Sequence, residues 1–279
     1  FVQCSNPSYI TRYYMTGDIK ENGTFLFNTF AKSAAELEEV LPAAVKRDIA
    51  KKHINLYVID AIDIAAKLGL RGRTNTILQS AFFKVANIIP YDQAVEYMKK
   101  MAYKSFAKKG DAVVQMNYNA IDSAAANLIK IDVPASWENA TTGAPMADVA
   151  DDKYFKEIVH PILSLKGDDL PSSAFNADGS VPTGTTKFEK RGVAVNVPMW
   201  DAAKCIQCNQ CAFVCPHACL RPAVVEAGAN KPASFTTKEM IGNKGYEFRM
   251  QVSPLDCMGC GVCADICPAK EKAITMVPF

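Results

Sequence analysis

The chain has 279 residues, 49% of them apolar, which is enough to bury the core of one or two ordinary domains. Its 31 Lys and Arg against 29 Asp and Glu leave a net charge of +2 without any basic tract, so nucleic acid is not an expected partner. No apolar run reaches the roughly 18–20 residues of a membrane helix, and no membrane partner is expected either.

The first 133 residues alternate strand and helix. The chain opens on Phe1-Val2-Gln3-Cys4 without an initiator Met, in what reads as the end of a strand, and the expectation is a piece of a longer polypeptide. Residues 23–29 form a buried strand. Ser33 with Glu36 is a capping-box signature for a short helix that Pro42 ends. Pro42 can also open the next helix, on which Val45 and Ile49 share a face. Residues 56–59 give a second strand, followed by a helix from Asp60 to Leu68 closed by Gly69. Three more helices are expected over 75–87, 91–107 and 111–128, with Gly110 and Asp111 as a cap pair. Such interleaving predicts an open α/β sheet, incomplete because two or three strands face at least six helices.

From 134 to 199 six prolines and the turn signals Asp178-Gly179 and Thr183-Gly184-Thr185 punctuate a stretch with few periodic runs. Its aromatics, including Trp137, Phe155 and Phe188, argue for a small, ordered, irregular linking domain rather than disorder.

Residues 200–279 carry eight of the ten cysteines. Two runs of the same form, Cys205-x2-Cys208-x2-Cys211-x3-Cys215-Pro216 and Cys257-x2-Cys260-x2-Cys263-x3-Cys267-Pro268, match the bacterial ferredoxin pattern. Three closely spaced thiolates wrap one cubane, and the fourth lies beyond a helix that points to the other cluster. The expected ligand sets are Cys205, Cys208, Cys211 and Cys267 for the first [4Fe–4S] cluster, and Cys257, Cys260, Cys263 and Cys215 for the second. A pair of zinc sites in a non-redox scaffold is the competing reading, but structural zinc takes Cys pairs rather than two proline-closed runs. Ligand thiolates imply a reducing compartment. The surplus between the runs, about 217–245, reads as an inserted surface excursion. Residues 247–252 alternate as a strand leading into the second run, and residues 273–277 are its expected partner.

With these residues in hand, the chain resembles the single-polypeptide pyruvate:ferredoxin (2-oxoacid:ferredoxin) oxidoreductases over essentially all its length. Residues Asn6-Pro7-Ser8-Tyr9, Asn75-Thr76, Ala81-Phe82-Phe83-Lys84 and Asn117 look like that family's gamma-type domain. Residues 167–171 (Gly-Asp-Asp-Leu-Pro) and 184–192, which include Glu189-Lys190-Arg191-Gly192, are similar to its middle segment. Ser253-Pro254-Leu255-Asp256-Cys257 and the Cys-Pro closures carry the resemblance to the end. It implies an enzyme that converts pyruvate and coenzyme A to acetyl-CoA and CO2 on thiamine diphosphate and Mg. Electrons would pass one at a time through three [4Fe–4S] clusters to ferredoxin or flavodoxin. This segment would hold two of the clusters and no catalytic residue; thiamine diphosphate, Mg and the third cluster would lie elsewhere in the enzyme. The remaining domains of the same enzyme, a homodimer, and a cytoplasmic or reducing-organelle location are implied with it. A pyruvate:NADP oxidoreductase, with the same core fused to a flavin reductase, fits equally at this stage.

The other reactive side chains have plainer expectations. Cys4 and Cys219 read as small buried hydrophobes. His217 follows the first Cys-Pro and is expected to be satisfied locally, with a hydrogen bond toward a cluster sulfur as the alternative; His53 and His160 lack ligand spacing. Lys187, Lys190 and Arg191 form a basic run suited to domain–domain ion pairs, with a phosphate or an acidic protein face as the alternative. The loop Gly69-Leu70-Arg71-Gly72-Arg73 matches no nucleotide motif. Asn75 and Thr76 fit ordinary helix capping.

Overall fold

In the computed structural model, which describes residues 1–70 and 72–279, the chain separates into Phe1–Val181 and Pro182–Phe279. The first unit is built on a sheet of β1 (Val2–Cys4), β2 (Thr24–Asn28), β3 (Asn55–Ile59) and β4 (Ile129–Ile131), in that spatial order. The first three strands are parallel and β4 is antiparallel to β3. Successive side chains of a strand face opposite ways, and here both faces are covered. Phe25 and Phe27 enter one core with Leu37, Val45, Ile49, Leu56 and Val58. Leu26 and Ile59 enter the other with Ile64, Ile77, Leu78, Ala120 and Ala124. That double burial is why β2 reads as an unbroken apolar run.

The helices follow their sequence signals. In α1 (Ala34–Val40) the Ser33 hydroxyl accepts from the Glu36 N–H at 3.3 Å, and the Glu36 carboxylate accepts from the Lys32 N–H at 2.5 Å. Pro42 stands just outside α2 (Ala43–Lys51), on which Val45 and Ile49 are both buried. The Asp60 carboxylate caps α3 (Ala61–Lys67) through the Asp63 N–H. Then come α4 (Asn75–Ala86), α5 (Tyr91–Phe106) and α6 (Asp111–Asn127). The fourth strand, three residues long, is one the sequence reading did not resolve. Within the Gly69 loop, Arg71 lies outside the described residues.

Residues beyond 134 do not leave the first unit at once. Trp137 is 1% exposed, and its indole N–H donates to the Glu38 carboxylate. The buried Lys46 ammonium donates to the other Glu38 oxygen at 2.5 Å and to the Glu38 carbonyl at 3.2 Å. These donors hold the Glu38 carboxyl below its ordinary range, the Lys46 hydrogen bond first and the Trp137 one next. Arg47 donates to the Ala140 carbonyl at 2.5 Å, and a Cβ at Gly143 would sit 2.3 Å from the Leu41 carbonyl oxygen. This stretch is ordered by packing on the α1–α2 corner rather than by periodic structure. A four-residue α7 (His160–Leu163) and single turns complete the unit.

The second unit contains β5 (Asn196–Trp200), α8 (Gln210–Phe213), β6 (Leu220–Glu226), β7 (Lys238–Glu239), β8 (Tyr246–Val252), α9 (Val262–Ile266) and β9 (Ile274–Pro278). Here the strand pairing differs from expectation. The partner of β9 is β5, with Trp200 opposite Ile274, and β8 lies between β6 and β7, with Val252 opposite Leu220. Part of the presumed excursion at 217–245 is therefore strand β6. Of the unforeseen strands β5, β6 and β7, the first two contain proline, Pro198 and Pro222, and both are edge strands, where the missing N–H can be tolerated.

The Trp137 anchor can be tested. Trp137→Phe keeps most of the buried area and loses the N–H bond, and should cost about 1–2 kcal/mol; Trp137→Ala should cost about 3–5 kcal/mol. Urea unfolding followed by far-ultraviolet circular dichroism measures both, and unchanged midpoints would contradict the anchor.

Candidate metal centre

The two cysteine runs take one backbone shape from different residues. In each, the first Sγ accepts from the N–H two residues on: Cys205 from Gln207 at 3.4 Å, Cys257 from Gly259 at 3.3 Å. The third and fifth positions of each run turn left-handed, at Gln207 (φ 58°) and Asn209 (59°) in one and Gly259 (70°) and Gly261 (80°) in the other. Gly259 has a second reason to lack a side chain, since a Cβ there would stand 3.0 Å from the Asn196 carbonyl oxygen. Lysines brace the loops: Lys238 donates to the Cys205 carbonyl at 2.8 Å, and Lys272 to the carbonyls of Asp265 and Cys267 at 2.7 and 2.8 Å.

The third cysteines, Cys211 and Cys263, ride on α8 and α9, which pack together. Burial pushes both thiols up to about 11; amide N–H donors from Ala212 and Ala264 oppose it, and neighbouring thiolates add to it. For Cys211 those neighbours are Cys205, Cys208 and Cys263; for Cys263 they are Cys257, Cys260 and Cys215. The fourth cysteines behave oppositely. Burial alone would raise Cys215 and Cys267, but each is held below the ordinary thiol value by backbone N–H groups. For Cys215 these come from Cys219, at 3.2 Å, His217 and Leu220; for Cys267, from Ala269, Ala273, at 3.4 Å, and Ile274, with Lys272 assisting.

A small cavity in this unit is lined by Cys205, Cys208, Cys211 and Cys267, together with Trp200, Asn209, Met250 and Ile274. The structure thus brings three cysteines of the first run to the fourth of the second. In the other direction, Cys215, Cys257 and Cys263 share one core cluster, and the charges of Cys215, Cys257 and Cys260 all bear on Cys263. Among the described residues no three His, Cys, Asp or Glu side chains converge on a point that would hold a single metal ion. Four sulfurs that line one cavity suit a polynuclear body. Half-buried thiolates that repel one another also call for positive charge between them, which an iron–sulfur core supplies. The residues fit such a group.

Cys219 is 1% exposed, its thiol is pushed up to about 12 chiefly by burial, and it sits in the core that the cysteines share. Cys4 is fully buried in the first unit, with burial raising it to about 12. Both are neutral core thiols, as expected from sequence. His217 is exposed; it lines a second cavity with Lys187, Lys190, Arg191, Arg221 and Asp256. In the basic run, Lys190 pairs with Asp256 at 2.6 Å and Arg191 with Glu189. Sequence reasoning passed over Trp200 and Asn209, which carry no motif and are noticed only once the cavity is known.

Residues 1–127 match the family described as pyruvate ferredoxin/flavodoxin oxidoreductase, 141–194 a domain of unknown function, and 204–270 the 4Fe–4S dicluster domain. All of the chain is similar to a segment of the pyruvate:ferredoxin oxidoreductase of Moorella thermoacetica, at 50% identity, and of the pyruvate-flavodoxin oxidoreductase of Enterobacter agglomerans, at 46%. The pyruvate dehydrogenase [NADP(+)] of Cryptosporidium parvum is 38% identical over 96% of the chain. The chain spans 24% of the length of the first two relatives and 16% of the third.

The left-handed turn at Gly259 gives a direct prediction. Gly259→Ala forces a side chain into φ +70° against the Asn196 carbonyl, costing about 1–2 kcal/mol in strain. The variant should lose cluster iron faster than the parent under chelator, followed by the decay of visible absorbance; equal rates would contradict the strained-turn account.

Proposed function

From the premise that this chain belongs with the pyruvate:ferredoxin/flavodoxin oxidoreductases and carries their 4Fe–4S dicluster domain, we propose that it is the electron-relay part of such an enzyme. One observation carries the reading: a single cavity lined by Cys205, Cys208, Cys211 and Cys267. The proposed ligands are these four for one [4Fe–4S] cluster, and Cys257, Cys260, Cys263 and Cys215 for the other. Each cluster supplies a site that takes up and releases one electron at low potential. The protein's part is to hold the thiolates, to direct backbone N–H groups at Cys215 and Cys267, and to keep the two sites close. Packing α8 against α9 brings the third cysteines of both runs together, a short route for an electron between sites.

In this reading the carbon chemistry belongs to other parts of the enzyme, and no residue of this segment is proposed as catalytic. In the whole enzyme the reaction would be oxidation of pyruvate with coenzyme A to acetyl-CoA and CO2. Thiamine diphosphate, Mg and a third cluster would sit in other domains, and ferredoxin or flavodoxin would accept the electrons. Resemblance to the NADP-linked relatives supports a flavin reductase domain as the alternative acceptor. We further propose residues 1–133 as an incomplete gamma-type α/β domain, 134–199 as a linking domain and 200–279 as the cluster domain. A homodimeric assembly in the cytoplasm or a reducing organelle accords with this reading. Among the described residues no helix is long and apolar enough to cross a membrane.

Cys215→Ala tests the crossed ligation. It should abolish or convert the cluster held by Cys257, Cys260 and Cys263 and leave the other intact, halving the reduced electron paramagnetic resonance signal. Loss of the cluster held by Cys205, Cys208 and Cys211 instead would overturn the assignment.

A further inference from the structure

Two buried polar atoms lack a hydrogen-bond partner among the described residues: Trp200 Nε1 and Asn209 Oδ1. A buried donor or acceptor left unpaired is costly, so such atoms are rare unless a bound group receives them. Both residues line the cavity with Cys205, Cys208, Cys211 and Cys267. Among the described residues these two atoms belong to neighbours at one small cavity, and that coincidence needs explaining.

The indole is held firmly there. Trp200 ends β5 opposite Ile274, its ring meets Phe248 edge to face at 6.2 Å, and the Arg249 guanidinium lies 5.9 Å from its centre. Among the described residues no acceptor meets the N–H. Thiolate and sulfide sulfurs accept hydrogen bonds and never donate. An Asn amide exchanges its oxygen and nitrogen by a half-turn, so sulfur acceptors in the cavity would draw the Asn209 NH2 to the position that Oδ1 now holds.

The second run offers neither group. Val252 precedes Cys257 by the same five residues that separate Trp200 from Cys205, and Gly261 occupies the place of Asn209. The backbone pattern of the two runs is otherwise alike, down to the N–H donated to the first cysteine. Trp200 and Asn209 are thus a difference between the sites that places hydrogen-bonding groups beside one set of cysteines and not the other.

Resting on the proposed ligation, we infer that Trp200 is a positioning residue for electron transfer. Its indole N–H, aided by the Asn209 amide, donates to sulfur of the cluster held by Cys205, Cys208, Cys211 and Cys267, and sets that cluster at a higher potential than its partner. Reduction adds negative charge to the cluster, and an N–H donor stabilises the reduced state more than the oxidised one. The electron then rests preferentially on the first-run cluster, which gives the relay a direction without any moving part.

The chain has two tryptophans, and Trp137 gives its N–H to Glu38 in the other unit. Protein carrying 15N-indole tryptophan, purified with its clusters and reduced, should show a 15N coupling to one cluster by pulsed electron paramagnetic resonance. The coupling should persist in Trp137→Phe and vanish in Trp200→Phe. Redox titration of Trp200→Phe should move one midpoint to more negative potential and leave the other in place; Asn209→Gly should move the same midpoint in the same direction. Two intact clusters without 15N coupling in the unsubstituted protein would overturn this inference alone. A protein that binds no [4Fe–4S] cluster would overturn the ligation reading, and this inference with it.

Discussion

Thiolates that are half buried beside one another repel, and the C-terminal unit is organised around neutralising them. Burial and neighbouring thiolates raise Cys211 and Cys263 to about 11. Backbone N–H groups turned inward hold Cys215 and Cys267 low. Under the proposed ligation an iron–sulfur core completes this compensation. It also ties residues from the two ends of the unit, Cys205 with Cys267 and Cys215 with Cys257, closing loops that short strands alone could not hold. Metal binding to such a site contributes folding energy directly. The left-handed turns at Gln207, Asn209, Gly259 and Gly261 and the lysine braces serve the same end.

The first unit is stabilised differently. Its sheet has an apolar core on each face, and its best-defined polar device is the Trp137–Glu38–Lys46 group. A fully buried ammonium is tolerated because its partner carboxylate is within 2.5 Å and a carbonyl accepts a further bond. The pairing draws the irregular residues after 134 onto the α1–α2 corner. In consequence the compact division of the chain falls at Val181 and Pro182, well inside the proline-rich stretch.

What was legible in the sequence follows from which constraints are local. Cluster ligation fixes cysteine spacing within twelve residues, so both runs could be read directly, while the crossed ligand sets are an expectation from the reach of the fourth cysteine. The helix cap at Ser33 is equally local and matches the helix found, whereas Asp111, expected as an N-cap, is the first residue of its helix and Gly110 stands in the cap position. Strand pairing is not local. Pro198 and Pro222 made β5 and β6 look like punctuation, because the sequence does not disclose that a strand will lie at an edge where a missing N–H costs little. Trp200 and Asn209 belong to the same class: their meaning depends on a cavity assembled from residues as far away as Cys267 and Ile274. The basic run at 187–191 reads as charge in the sequence, while in the fold Lys190 and Arg191 are engaged with carboxylates.

The claim on which the rest depends is that the two runs hold iron–sulfur clusters and not isolated ions. Metal and acid-labile sulfide analysis of anaerobically purified protein tests it most directly. Two clusters predict about eight irons and about eight sulfides per chain, with zinc at trace level. Stoichiometric zinc with neither iron nor sulfide would contradict the account and return the unit to a structural scaffold.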